Sequence, residues 1–119
     1  MYFEFQQERR QAWAPAIDVC ERASEIVIFV EMPGLDRSDV KLSWHEGVLT
    51  ITGNKQQESG TGIARFHCVE RNYGTFRRDV AINIPIDHSK ARAELRDGLM
   101  RIYLPKATSK PDASDIPIL

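Results

Sequence analysis

Ala91-Arg92-Ala93-Glu94-Leu95-Arg96-Asp97-Gly98-Leu99-Met100-Arg101-Ile102-Tyr103-Leu104-Pro105 is the stretch that decides the fold class. Ala91, Ala93 and Leu95 alternate with Arg92, Glu94 and Arg96, which is the period of a strand with one buried face. Asp97-Gly98 is a pair suited to the two positive-φ positions of a tight hairpin. The apolar residues return over 99–104, and Pro105 closes the run because it has no N–H to give to a ladder. The stretch reads as an antiparallel hairpin.

The same grammar repeats outward. Residues 25–32 are rich in Val, Ile and Phe and are stopped by Pro33-Gly34. In 39–44, Val40, Leu42 and Trp44 alternate with Lys41 and Ser43. Glu46-Gly47 then turns the chain into 48–52, where Leu49 and Ile51 share a face and Gly53 marks the end. Further strands are expected at 16–20, 63–70 and 73–84. Residues 54–62 are polar and read as a loop. A helix is conceivable over 3–12. Eight short strands at spacings near ten residues predict an all-β, immunoglobulin-like antiparallel β-sandwich.

The 119 residues suffice for one domain with its own core. Sixteen Lys and Arg against seventeen Asp and Glu give a net charge of −1, so there is no basic excess for a phosphate backbone and nucleic acid is not an expected partner. The longest apolar run, Ile26 to Val30, is too short for a membrane span. Residues 1–13 carry no apolar stretch of signal-peptide length, and the expected location is cytoplasmic. His45, His67 and His88 stand apart, and no nucleotide-binding or hydrolase motif occurs. Neither an enzyme, a metal nor a cofactor is expected. The expected organisation is a short arm at 1–12, a sandwich domain at 13–106 and a polar extension at 107–119.

Three features point past the fold. The polar extension ends in Ile116-Pro117-Ile118-Leu119. In an extended chain Ile116 and Ile118 project to one side about 7 Å apart, and Pro117 pre-sets that form. This is a two-knob plug for an apolar slot, or a frayed tail with incidental apolar residues; the pattern alone leaves both open. Eleven residues from Pro105 to Ile116 reach at most about 36 Å, far enough for a neighbouring subunit. Arg78 shares a face with Phe76, Val80, Ile82 and Ile84, so it needs a carboxylate, an interface or a route to water. The strand expected at 63–70, on its long loop, either pairs with a partner chain or forms an ordinary hairpin.

Taken with their neighbours, these features resemble the small heat-shock protein (alpha-crystallin) family. The resemblance is carried by Glu31-Met32-Pro33-Gly34, Val48-Leu49-Thr50-Ile51-Thr52-Gly53 and Glu70-Arg71-Asn72-Tyr73-Gly74-Thr75-Phe76-Arg77-Arg78. Ala93-Glu94-Leu95-Arg96-Asp97-Gly98-Leu99, Leu104-Pro105-Lys106 and Ile116-Pro117-Ile118 complete it. It implies an ATP-independent chaperone, a holdase, that keeps partly unfolded client proteins from aggregating. It also implies a homodimer made by strand exchange. Ala64, Arg65, Phe66, His67, Cys68 and Val69 would pair with Ala16, Ile17, Asp18, Val19 and Cys20 of the partner, with Arg78 at the interface. Val40 and Leu42 would form one wall of a tail-binding groove and Ala91, Ala93 and Leu95 the other. The tail would occupy that groove in a neighbouring dimer and build higher oligomers. If the exchanged strand pairs this way, Cys20 and Cys68 approach across the dimer and a disulfide between subunits is conceivable; otherwise both are free thiols.

The chain departs from the pattern in its short arm before Trp13, in Leu99-Met100 where the family has Val-Leu, and in Pro85, two residues late. A co-chaperone or adaptor sandwich of the CS-domain type has similar architecture but normally lacks the terminal motif and the exchanged strand. An immunoglobulin-like adhesion module would need a signal and a Cys…Trp…Cys frame that the sequence does not show.

Overall fold

In the computed structural model, residues 13–57, 62, 65–107 and 114–119 are described. Alternation builds the strands: β1 (Ile17–Glu21), β2 (Glu25–Glu31), β3 (Val40–His45), β4 (Val48–Lys55), β5 (Gly74–Ala81), β6 (Arg92–Arg96), β7 (Leu99–Pro105) and β8 (Ser114–Ile116). Two single 3₁₀ turns, Arg37–Asp39 and His88–Lys90, punctuate them. The strands form two antiparallel sheets in the orders β1-β2-β7-β6 and β5-β4-β3-β8.

The core is made of paired rows. On the first sheet Ile26 faces Leu104, Ile28 faces Ile102 and Val30 faces Met100. On the second, Leu42 faces Ile51, Trp44 faces Leu49, and Leu49 faces Val80. These side chains are buried between the sheets. Each removes enough apolar surface to contribute about 1.5–3 kcal/mol. Val27 points to the outer face yet is also buried. It lies in the row Cys20–Val27–Tyr103–Arg92, where the Arg92 guanidinium sits 4.2 Å from the Tyr103 ring centroid.

Both hairpin turns read from the sequence form. Glu46 and Gly47 have φ of 47° and 81°, and Asp97 and Gly98 have φ of 53° and 76°. This is the primed geometry that matches strand twist. Gly53 behaves differently from expectation. It does not end its strand, because β4 continues to Lys55. A Cβ there would stand 2.4 Å from Phe76 Cζ and 2.6 Å from the Asp39 carbonyl oxygen. The glycine is needed so that the Phe76 ring can lie across the backbone.

One expected strand is shorter than read, and another is not paired within this chain among the described residues. Within 63–70, the described residues 65–70 belong to no strand. Among the described residues no strand of the same chain pairs with them, so the hairpin branch of the expectation is not seen there; the other branch is pairing with a partner chain. The long strand expected at 73–84 is paired only over Gly74–Ala81. The Ile82 N–H still donates in register to the Gly47 carbonyl at 2.8 Å, a last bond at the Glu46-Gly47 turn, and there β4 has no further residues to pair with 83–84. The helix expected over 3–12 lies outside the described residues.

Candidate functional site

The two sheets meet along an opening between β3 and β6. Alternation turns Val40 and Leu42 inward from β3, and Ala93 inward from β6, with Ala91 just before it. All four are buried, and Leu95 beside them is half-buried. The two alanines keep the second wall low, so branched side chains fit between the walls.

The C-terminal tail fills this opening in its own chain. β8 runs antiparallel to β3, with Ser114 opposite Trp44, Asp115 opposite Ser43 and Ile116 opposite Leu42. Ile116 is only 4% exposed and belongs to the core cluster. After Pro117 the chain crosses to the other sheet. Ile118 bridges Ala93 in parallel, the Leu119 N–H donates to the Ala93 carbonyl at 2.7 Å, and the Leu95 N–H donates to the Leu119 carbonyl at 3.4 Å. Pro117 therefore occupies the crossover between two ladders, where its missing N–H does not interrupt either. The tail stitches the sheets together and covers the outer edges of both. Part of the slot remains open: a depression of about 310 Å³ is lined by Arg37, Ser38 and Lys41 on one side and Asp115, Ile116 and Ile118 on the other.

In this chain the tail docks on its own sandwich, between the walls expected to receive it from a neighbouring dimer. The Ala107 N–H donates to the Pro85 carbonyl at 2.9 Å, which fixes where the extension departs.

On the opposite flank the N-terminal segment makes a similar crossing. Trp13 bridges Phe76 of β5, with ring centroids 5.0 Å apart and planes tilted by 46°. Four residues later the chain enters β1 in the other sheet. Arg78 is half-buried beneath this crossing, and its Nη1 donates to the Pro15 carbonyl at 3.3 Å. Within this chain its charge rests on a backbone dipole, and of the three routes the sequence left open no carboxylate partner is seen among the described residues.

β1 itself ends the first sheet, and its outer edge receives no strand among the described residues. Val19 follows Ile17 on the inner side of β1, beside Ile28, yet is 48% exposed. Asp18, Cys20 and the nearby Ala16 are exposed, whereas Ile17 packs on the core. In the loop, Arg65, Phe66, His67 and Cys68 are exposed and Val69 is half-buried; Ala64 lies outside the described residues. Cys20 and Cys68 are free thiols. Partial desolvation, then the Glu70 carboxylate, raise the Cys68 thiol above its ordinary value. Sequence reasoning missed that Arg37, Lys41 and Asp115 line one depression beside the tail, and the role of Leu119, whose backbone pairs with β6.

Among the described residues there is no cluster of His, Cys, Asp or Glu able to hold a metal ion. No helix of the described chain is long and apolar enough to cross a membrane.

An eight-stranded sandwich that receives its own terminal Ile-Pro-Ile in the slot between its sheets defines a class. The Hsp20/alpha crystallin family model matches residues 18–119. The chain belongs to that family. It is 32% identical over 93 residues to small heat shock protein C4 of Rickettsia felis, covering 78% of this chain. The chain spans 57% of that relative's length. Among solved structures, hspA of Xanthomonas axonopodis superposes with a TM-score of 0.73 at 32% identity, covering 83% of this chain and 99% of that one. A small heat-shock protein of Xylella fastidiosa, described as having a distinct high order structure, gives 0.72 at 30% identity, covering 85% of this chain and 94% of that one.

Proposed function

We propose that this protein is an ATP-independent chaperone that holds partly unfolded proteins and prevents their aggregation. The observation that carries this reading is the slot between β3 and β6. It holds an extended segment through backbone pairing on both sides and two apolar knobs, Ile116 and Ile118. Backbone pairing is indifferent to sequence, so a slot of this kind suits any extended apolar segment. Unfolded chains present many such segments, and the tail would compete with them for the same walls, Val40, Leu42, Ala91, Ala93 and Leu95. Membership of the Hsp20/alpha crystallin family supports the same role.

The functional unit in this reading is a homodimer in which residues 64–69 of one protomer add to the outer edge of β1 in the other. The exposed Val19 ledge and the unpaired loop support it, with Arg78 at the junction. Release of the tail to a neighbouring dimer would build larger oligomers. The sandwich domain spans 13–106 and the extension 107–119. The setting in this reading is the cytosol, where exposed thiols such as Cys20 and Cys68 are ordinarily kept reduced and bond only under oxidising conditions. The test is sedimentation of a heat-labile client without nucleotide. A soluble client in the presence of the chain supports the reading, and an unchanged pellet at a molar excess of chain contradicts it.

A further inference from the structure

We infer that Cys20 of one protomer and Cys68 of its partner form a disulfide that covalently locks the dimer under oxidising conditions. This rests on the strand-exchange reading above and adds a register and a modification to it.

The hydrogen-bond phase of β1 places Cys20. The Glu31 N–H donates to the Ala16 carbonyl at 3.1 Å, and the Arg22 N–H donates to the Glu25 carbonyl at 2.8 Å. In an antiparallel ladder hydrogen-bonded pairs recur at every second residue. Asp18 opposite Phe29 and Cys20 opposite Val27 therefore turn their backbone groups toward β2. Ile17, Val19 and Glu21 turn theirs to the outer edge. A strand added there hydrogen-bonds to those three and leaves Cys20 at a non-hydrogen-bonded position. At such positions the facing Cα atoms are about 4.5 Å apart, within the range of about 4.4–6.8 Å that a disulfide needs.

The inner face sets what faces Cys20. Val19 is the exposed apolar ledge on that face, and Val69 is the apolar residue of 65–70 on the face opposite to Cys68. Laying Val69 across Val19 covers the ledge and sets Cys68 across from Cys20. The same register puts Glu70 across from Asp18. Both are exposed, and water screens that repulsion.

The chemistry is thiol–disulfide exchange with a low-molecular-weight disulfide. One cysteine thiolate attacks that disulfide, forms a mixed disulfide and expels one small thiol. The partner's thiolate then attacks the mixed disulfide, forms the protein S–S bond and expels the second small thiol. Two electrons pass from the protein thiols to the reagent, and both protein protons are released. The thiolate is the attacking species, so the reaction accelerates with rising pH.

The test incubates the full chain with oxidised glutathione and reads non-reducing gels, alongside light-scattering mass under reducing conditions. The expected result is a reducible dimer band, lost in Cys20→Ser and in Cys68→Ser, and regained when the two variants are mixed. A band surviving either single variant overturns the inference. So does no band from a chain whose reduced mass is that of a dimer or larger, which leaves strand exchange standing. A monomeric mass in reducing buffer overturns strand exchange and this inference with it.

Discussion

Leu42 of β3 and Ile116 of β8 lie directly across from each other, both buried, although 73 residues of chain separate them. Through this pair the last residues of the chain become part of the core of the sandwich. Ile118, two residues on, is only half-buried against Ala93. The tail therefore has one deep anchor and one shallow one.

That asymmetry orders the tail variants. Ile116→Ala is expected to release 114–119 as a unit, because Ile118 and two backbone bonds to β6 are too little to hold it alone. Burial of one isoleucine contributes about 1.5–3 kcal/mol, so tail amides lose protection by roughly ten- to a hundred-fold. Ile118→Ala is expected to loosen Leu119 and leave Ile116 docked. Amide hydrogen exchange resolved along residues 114–119 checks both.

Filling the groove from its own wall should give the opposite geometry with the same tail outcome. Ala93→Leu adds a branched side chain where Ile116 and Ile118 now sit. Overpacking of this kind costs about 1–3 kcal/mol, and an edge groove sheds it by expelling the tail. The sandwich is expected to unfold at nearly the same urea concentration, while limited proteolysis cuts the tail faster. A clearly lower urea midpoint with the tail cut no faster than in the native chain would refute this reading of the groove.

Gly53→Ala is expected to destabilise the sandwich itself by about 1–3 kcal/mol, since its Cβ would strike both the Phe76 ring and the Asp39 carbonyl. Adding Phe76→Leu should recover only part of the loss, because the Asp39 backbone still blocks the site. Urea midpoints of the single and double variants give the coupling.

Asp87 carries a pH dependence of known sign. The Ser89 hydroxyl, 2.6 Å away, is the largest influence holding its carboxyl below the ordinary value, and Lys90 and His88 add to it. A folded pKa below the unfolded one means stability that is present at neutral pH. It fades as pH falls through the unfolded value toward the folded one. Ser89→Ala is expected to raise the Asp87 titration midpoint in NMR and to shrink that acid-limb contribution. An unmoved midpoint would show that the hydroxyl is not the cause.

Much of this was legible in sequence because alternation is a local signal. Ala93, Leu95, Asp97-Gly98 and Met100 through Leu104 specify their hairpin without reference to the rest of the chain. Gly53 was misread because a glycine after a strand looks the same whether it ends the strand or makes room for a distant ring; only Phe76 decides. The residues at 65–70 have strand-like side chains, but pairing also depends on whether an edge lies within reach of the segment, which alternation along 65–70 does not record. The Ile-Pro-Ile plug was visible, and so were walls with room for it. Which chain supplies the walls depends on tether length against groove position, a relation no side-chain pattern encodes.

On the function proposed above, the slot between β3 and β6 receives any extended apolar segment. Amide hydrogen exchange with a permanently unfolded client tests it most directly, on the native chain and on Ile116→Gly/Ile118→Gly. The expected result is client-dependent protection along β3 and β6, from Val40 to Trp44 and Ala93 to Leu95, stronger in the variant whose slot is vacated. Client binding that protects other surfaces and leaves these two strands unchanged would contradict the claim.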